Sequence, residues 1–136
     1  MSRKLVGMHD SGKRQQFGTG AVRDAAEEKP RPELISPWAI IRIGNWLKLG
    51  AKKYGEGNWT KGMPFMRVIA SLIRHTISYM LGKKKEDHLA AIATNAIFLM
   101  HYEEMIKLGI LPSDLDDRGK YWALEWEKIT SGTKVK

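Results

Sequence analysis

The sequence contains no cysteine, and this absence excludes several kinds of site at once. Without thiols there is no disulfide framework, no zinc ribbon and no cysteine nucleophile, so a bound metal must use oxygen or imidazole ligands. No apolar run approaches the roughly 20 residues that span a bilayer, and the N-terminal segment lacks the apolar stretch of a signal peptide. We therefore expect a cytoplasmic protein.

Phenylalanine is also scarce, with three residues, but five Trp, seven Met and a 43% share of hydrophobic residues are enough for one core. The length of 136 residues fits a single domain, 1–136. Within it we predict an extended arm over 1–35, a helical core over 36–108 and a tail with a short helix over 109–136.

Acidic residues are rare in the middle of the chain. Residues 42–85 contain ten basic residues and one acidic residue, whereas residues 86–107 contain one basic and four acidic residues. A basic segment followed by an acidic one suits a phosphate site beside a metal site, and it also suits two solvated helix faces of opposite charge.

Apolar residues at helical spacing, together with capping residues, predict three main helices and a short fourth helix. Their predicted ranges are 36–53, 65–81, 86–108 and 121–129. No segment alternates apolar and polar residues as a strand does, and the prolines of KPRP at 29–32 interrupt regular structure. The predicted fold class is therefore all-α, a small helical bundle of three main helices and a short C-terminal helix, preceded by an extended N-terminal arm.

Several polar residues have both a functional and a structural interpretation. The cations Lys53, Lys61, Arg67 and Arg74 either hold phosphates or are surface charges. Tyr54 and Trp59 flank a glycine-rich loop, where they either stack on a base or close one end of the bundle.

The histidines and their neighbours also have both a functional and a structural interpretation. His75 is either a functional base or a satisfied core residue. His88 and Asn95 share a helix face near Asp87, which suggests a site, although Asp87 is also a favourable helix N-cap. Recognised motifs such as GxxxxGK[ST], GxGxxG, HExxH and GxSxG are absent from the sequence. The residues alone thus indicate a basic helical domain with a candidate phosphate and metal site.

Five strings taken together carry a resemblance to a known family. They are TGAVRD (19–24), KPRPELISP (29–37), GAKKYGEGNWTKGMP (50–64), RH (74–75) and EDHLAAIATNA (86–96). In this order they resemble the phage-associated family of the dATP/dGTP diphosphohydrolase N-terminal domain, which is distantly related to the MazG-like all-α pyrophosphohydrolases. The resemblance covers roughly residues 17–105.

The resemblance implies a hydrolase that uses Mg²⁺ or Mn²⁺ to convert dATP or dGTP into the monophosphate and pyrophosphate. It also implies a homodimer or homotetramer. The second predicted helix has no carboxylate where MazG-like proteins have several, so Glu86 and Asp87 become the metal candidates.

The resemblance also assigns roles to residues of the matched strings. Phosphate binding is assigned to Lys53, Asn58, Lys61 and Arg74, and base stacking to Tyr54 or Trp59. Catalytic roles are assigned to Asp87, His75 and His88, with Asn95 and the arm residue Arg23 as further substrate-binding candidates.

Two other functions remain open on the sequence alone. One is a non-catalytic protein that binds or sequesters a phosphorylated nucleotide, which the lack of acids on the second helix suggests. The other is an accessory protein that binds nucleic acid, which the basic segment 42–85 with its interleaved aromatic residues suggests.

Overall fold

A computed structural model of the protein describes residues 7–132, and the side chains of residues 124–126 are not part of that description. Residues 1–6 of the predicted arm and residues 133–136 of the predicted tail therefore lie outside the described residues. By its internal contacts the chain divides into two units, Met1–Ile35 and Ser36–Lys136, which are described separately below.

The N-terminal unit contains a β-hairpin, which the sequence analysis did not predict. Strands β1 (Arg14–Gln16) and β2 (Val22–Asp24) pair antiparallel, with Arg14 opposite Asp24. Each strand has only three residues, which is too short for an alternating pattern to be recognised. Local polar contacts support the hairpin, since the Asp24 carboxylate accepts hydrogen bonds from Ser11 and Arg14. Within the segment predicted as an extended arm, residues 14–24 thus form a short hairpin.

The second unit is helical and confirms the predicted all-α bundle. Its helices are α1 (Pro37–Tyr54), α2 (Phe65–Met80), α3 (His88–Lys107) and α4 (Ala123–Thr130). Ser36 caps α1 by accepting from the Ala39 N–H, as its position before proline predicts. The start of α3 differs from the prediction, because Asp87 has non-helical backbone angles and its side chain caps the helix from outside.

Helix α3 lies at the centre of the bundle and packs against both α1 and α2. Apolar residues surround nearly its whole circumference, as is typical of a helix with neighbours on several sides. The main core cluster joins Phe65 and Val68 of α2 to Tyr102 of α3. Among the described residues α1 has no fully buried side chain, so it covers α3 with half-buried residues such as Trp46 and Leu47.

The chain after α3 closes the end of the bundle where α2 begins. Leu111 and Leu115 pack against the core cluster, and Asp117 accepts a hydrogen bond from the Met66 N–H at 2.8 Å. This carboxylate therefore satisfies one of the free N–H groups in the first turn of α2 from a distant part of the sequence.

Gly62 follows the 3₁₀ turn Asn58–Lys61 and faces the same leucines. It has a φ of +96°, and a Cβ there would lie 2.7 Å from Leu115 Cδ1. Glycine is thus required at this turn.

Candidate functional site

A groove of about 1040 Å³ runs between α1 and α2, with α3 at its base. Its charged lining residues are mostly cations: Lys48, Lys53, Arg67 and Arg74, with the acids Glu56 and Glu86. The glycine-rich loop after α1 contributes one wall. A cationic groove of this size suits a polyanion.

One face of α2 supplies the polar side of the groove. Arg67, Ser71 and Arg74 follow each other at intervals of four and three residues, so they share a helix face. The two guanidinium groups are therefore carried by Cα atoms about 10 Å apart along the helix axis. Between them, Ser71 Oγ accepts a hydrogen bond from Asn95 Nδ2 of α3 at 3.3 Å. This stripe places two bidentate donors along one wall.

His75, also on the groove, is joined to a second histidine. Its Nδ1 lies 2.9 Å from Nδ1 of His88, so one of these nitrogens donates a hydrogen bond to the other. His88 is buried, and within the described part of the chain its Nε2 has no hydrogen-bond partner. The rings of His75 and Trp46 also pack edge to face, with 5.5 Å between their centroids. Two neighbours thus fix the orientation of the His75 ring.

Burial lowers the pKa of His75 below its usual value of 6.5. Glu86 opposes this shift, whereas the electrostatic effects of His88 and Arg74 lower the pKa of His75 further. The imidazole is consequently neutral at pH 7, and a neutral ring can accept a proton.

The same shift predicts how the stability of the protein depends on pH. Below the ordinary pKa of 6.5 the unfolded chain binds a proton at His75 before the folded chain does, so acidification favours unfolding. We expect the free energy of unfolding to fall as the pH drops from 7 towards 5, and this loss to be smaller in His75→Asn. Urea unfolding at several pH values measures both slopes. Equal slopes in the two proteins would contradict the assignment.

Asp87 is engaged in structural contacts away from the groove. Its two carboxylate oxygens accept hydrogen bonds from Arg42 at 2.6 and 2.8 Å, and one of them also accepts from the Ala90 N–H at 3.1 Å. Arg42 holds the pKa of this carboxyl below its usual range. Asp87 and His88 line a smaller depression beside the lysines of the α2–α3 turn.

The acidic residues that the structure describes do not fit a resident Mg²⁺ site within one chain. Magnesium is usually bound by more than one converging oxygen ligand, and Asp87 has its oxygens directed at Arg42. Glu86 remains exposed on the groove. Among the described side chains, those of residues 7–123 and 127–132, His, Asp and Glu nowhere form a group of three or more that could hold a metal ion.

The aromatic candidates of the loop have different surroundings. Trp59 stacks on Phe98 with 4.5 Å between ring centroids, and its ring packs edge to face with that of His101. It therefore closes the end of the bundle and also contributes to the groove wall. Tyr54 is exposed on the groove with Lys53 over its ring. Of the two, Tyr54 has more free surface for stacking on a base.

The structure brings most, but not all, of the predicted site residues together. The groove is lined by Lys53, Tyr54, Asn58, Trp59, Arg74, His75, Glu86 and Asn95. Lys61 is exposed in the 3₁₀ turn Asn58–Lys61 and does not belong to this lining. Arg23 is exposed in strand β2 of the N-terminal unit.

Three residues that were not among the predicted site residues have a role in the structure. Arg42 binds Asp87, Trp46 orients His75, and Ser71 links α2 to Asn95. The sequence did signal Ser71, because it continues the polar stripe of Arg67 and Arg74. It offered no comparable signal for Arg42 or Trp46, since both look like ordinary residues of an amphipathic helix.

Comparison with known proteins adds one match. Residues 19–109 match the family model described as dATP/dGTP diphosphohydrolase, N-terminal. No curated protein and no solved structure matches the chain. In the described part of the chain, none of the helices has the length and apolar character required to cross a membrane.

Proposed function

Because the chain belongs to the dATP/dGTP diphosphohydrolase N-terminal family, we propose that it hydrolyses purine deoxynucleoside triphosphates in the groove between α1 and α2. The family description indicates a nucleotide hydrolase. The observation that carries the proposal is the α2 face on which two arginines and a neutral, oriented histidine line one cationic groove.

In this proposal the cations of the groove hold the triphosphate. Arg67 and Arg74 each donate paired N–H groups to phosphate oxygens, and Lys53 contributes a point charge from the opposite helix. Asn58 donates from the loop, and Tyr54 stacks on the base. The binding role that the sequence suggested for Lys61 is not used, because Lys61 lies outside the groove lining.

His75 acts as the general base. With its Nδ1–H donated to His88, its Nε2 carries the lone pair that accepts a proton from water. The water oxygen forms a bond to the α-phosphorus, and the bond from that phosphorus to the bridging oxygen breaks. The products are the nucleoside monophosphate and pyrophosphate. His88 does not touch the substrate and is a positioning residue.

The divalent cation enters the proposal with the substrate, as the Mg²⁺ or Mn²⁺ complex of the triphosphate. Cations neutralise the charge of the leaving pyrophosphate, and the groove arginines share this task. Of the two carboxylates on the groove, Glu86 faces this complex in the proposal, whereas Asp87 stabilises the α1–α3 contact through Arg42.

One observation favours a second function, a protein that binds the nucleotide without hydrolysing it. The carboxylates do not converge in the described chain, and a hydrolase of this kind benefits from converging metal ligands. A binding protein needs only the cations and the aromatic wall of the groove, which are present.

A panel of eight nucleoside and deoxynucleoside triphosphates with Mg²⁺ or Mn²⁺ tests the proposal. We expect monophosphate and pyrophosphate from dATP or dGTP, and we expect Glu86→Gln to reduce turnover while binding persists. Asp87→Asn is the matched control, for which we expect a loss of stability rather than a specific loss of turnover. Binding without product from any nucleotide would favour the second function.

A further inference from the structure

The turn between α2 and α3 carries three consecutive lysines, Lys83, Lys84 and Lys85. Its backbone is fixed at the end of α2, where Gly82 has a φ of +71° and the Lys83 N–H donates to the Ser78 carbonyl at 3.1 Å. This is the arrangement with which a glycine commonly ends a helix. The lysines therefore begin at a fixed point of the fold.

The three lysines line a depression of about 360 Å³, which we call the turn depression. All three are exposed, and in the part of the chain that the structure describes none of them forms an ion pair. Arg42 and Asp87 also line the depression, but each compensates the charge of the other. Glu86 is then the one acid in the lining against three lysines, so the turn depression attracts anions.

The turn depression adjoins the groove, because Glu86 lines both. Along the axis of α2, Arg67 and His75 are about 12 Å apart, and the helix ends at Met80, just before the lysines. Tyr54 ends α1, and the loop after it leads into the start of α2. The aromatic wall and the lysines thus lie towards opposite ends of α2, with His75 between them.

We infer that the turn depression binds the terminal diphosphate, the β- and γ-phosphates, of the nucleotide in the groove. The inference rests on the proposed function. With the base on Tyr54 and the α-phosphorus beside His75, the remaining phosphates extend past Glu86 towards the lysines. These phosphates carry most of the charge of the triphosphate, and lysines bind phosphate oxygens as point charges. After cleavage the same lysines hold the pyrophosphate.

The lysines also have a structural explanation, because positive charges stabilise the C-terminal end of a helix such as α2. The family resemblance gives them no role, since they fall between the strings RH (74–75) and EDHLAAIATNA (86–96). A purely structural role would change the stability of the protein, but it would not distinguish nucleotides with one phosphate from those with three. The number of phosphates is therefore the variable that the experiment must change.

Calorimetric titration of the full chain at low salt tests the inference. The probes are inorganic pyrophosphate, the α,β-methylene analogues of dATP and dGTP, which resist cleavage between the α- and β-phosphates, and the monophosphates dAMP and dGMP. In K83Q/K84Q/K85Q we expect the affinities for pyrophosphate and for the analogues to fall about tenfold or more. The affinities for the monophosphates should change by less than about twofold.

The matched control is K107Q/K120Q/K128Q. It removes the same charge from exposed lysines that line neither the groove nor the turn depression. We expect all its affinities to stay within about twofold of those of the unmodified protein. Urea unfolding of both triple variants separates a loss of binding from a loss of the fold.

Equal weakening of monophosphates and triphosphate analogues in K83Q/K84Q/K85Q would overturn the inference. Equal weakening by the two triple variants, or pyrophosphate binding that does not depend on the three lysines, would also overturn it. If no nucleotide binds to the unmodified protein, the proposed function fails, and the pyrophosphate titration still decides whether the lysines bind a diphosphate.

Discussion

His75→Asn is expected to lower kcat for the preferred triphosphate by about 100-fold or more, which is the usual contribution of a general base. The asparagine amide can replace the Nδ1–H that His75 donates to His88 in the proposed mechanism, so the contact between α2 and α3 is retained. The substitution removes Nε2, the atom that we propose accepts the proton from water. Nucleotide affinity should therefore change little, because Arg67 and Arg74 remain on the groove.

Steady-state kinetics and direct nucleotide binding measure these two effects separately. The matched control is His101→Asn, because His101 lies on α3 against Trp59 and is not part of the groove lining. We expect its kcat to stay close to that of the unmodified protein. If both variants lose turnover equally, or if His75→Asn retains full activity, His75 is not the base.

The positioning role proposed for His88 predicts a different result when His88 is substituted. Substituting His88 would release the His75 ring and shift the acidic limb of the pH profile, without removing the nitrogen that accepts the proton. The shift of this limb separates positioning from direct catalysis, since a purely structural role would lower activity equally at every pH.

Phe65→Ala is expected to reduce the free energy of unfolding by about 3 to 5 kcal/mol. Phe65 is 1% exposed and lies between Tyr102, at 6.2 Å between ring centroids, and the guanidinium group of Arg118, at 5.4 Å from the ring. Truncation removes a large apolar surface from the core cluster and leaves a cavity at the start of α2.

Urea unfolding at equal protein concentrations measures this loss, and the fixed concentration removes any effect of self-association. Ile40→Ala is the control, because a half-exposed side chain on α1 should change stability by only about 0.5 kcal/mol. A loss below about 1 kcal/mol for Phe65→Ala would show that this cluster is not the main core of the bundle.

Periodic features of the helical unit were predictable from the sequence. The bounds of α1 and α2 follow from apolar spacing, from the Ser36 cap and from Gly82 after α2. Such signals are local, because capping and helical periodicity depend on residues within a few positions of each other. The hairpin at β1 and β2 escaped prediction because its strands are too short to carry a periodic signal.

The partners of individual side chains were not predictable. The sequence left Asp87 open between a helix cap and a catalytic or metal role, and only the fold brings Arg42, 45 residues earlier in the chain, to its carboxylate. The same holds for His75 and His88, whose rings meet because α2 and α3 pack antiparallel, and for Asp117, which caps α2 from the tail.

The sequence by itself thus determined the helical class, the helix positions, the basic character of the middle segment and the family. Each of these depends on residues that are close to each other in the sequence or on short sequence motifs in a fixed order. The tertiary structure decided which cations share a groove, which histidine faces it and which carboxylate is already bound. These outcomes depend on how helices distant in sequence pack around α3, and the packing angles that set them leave no local pattern in the chain.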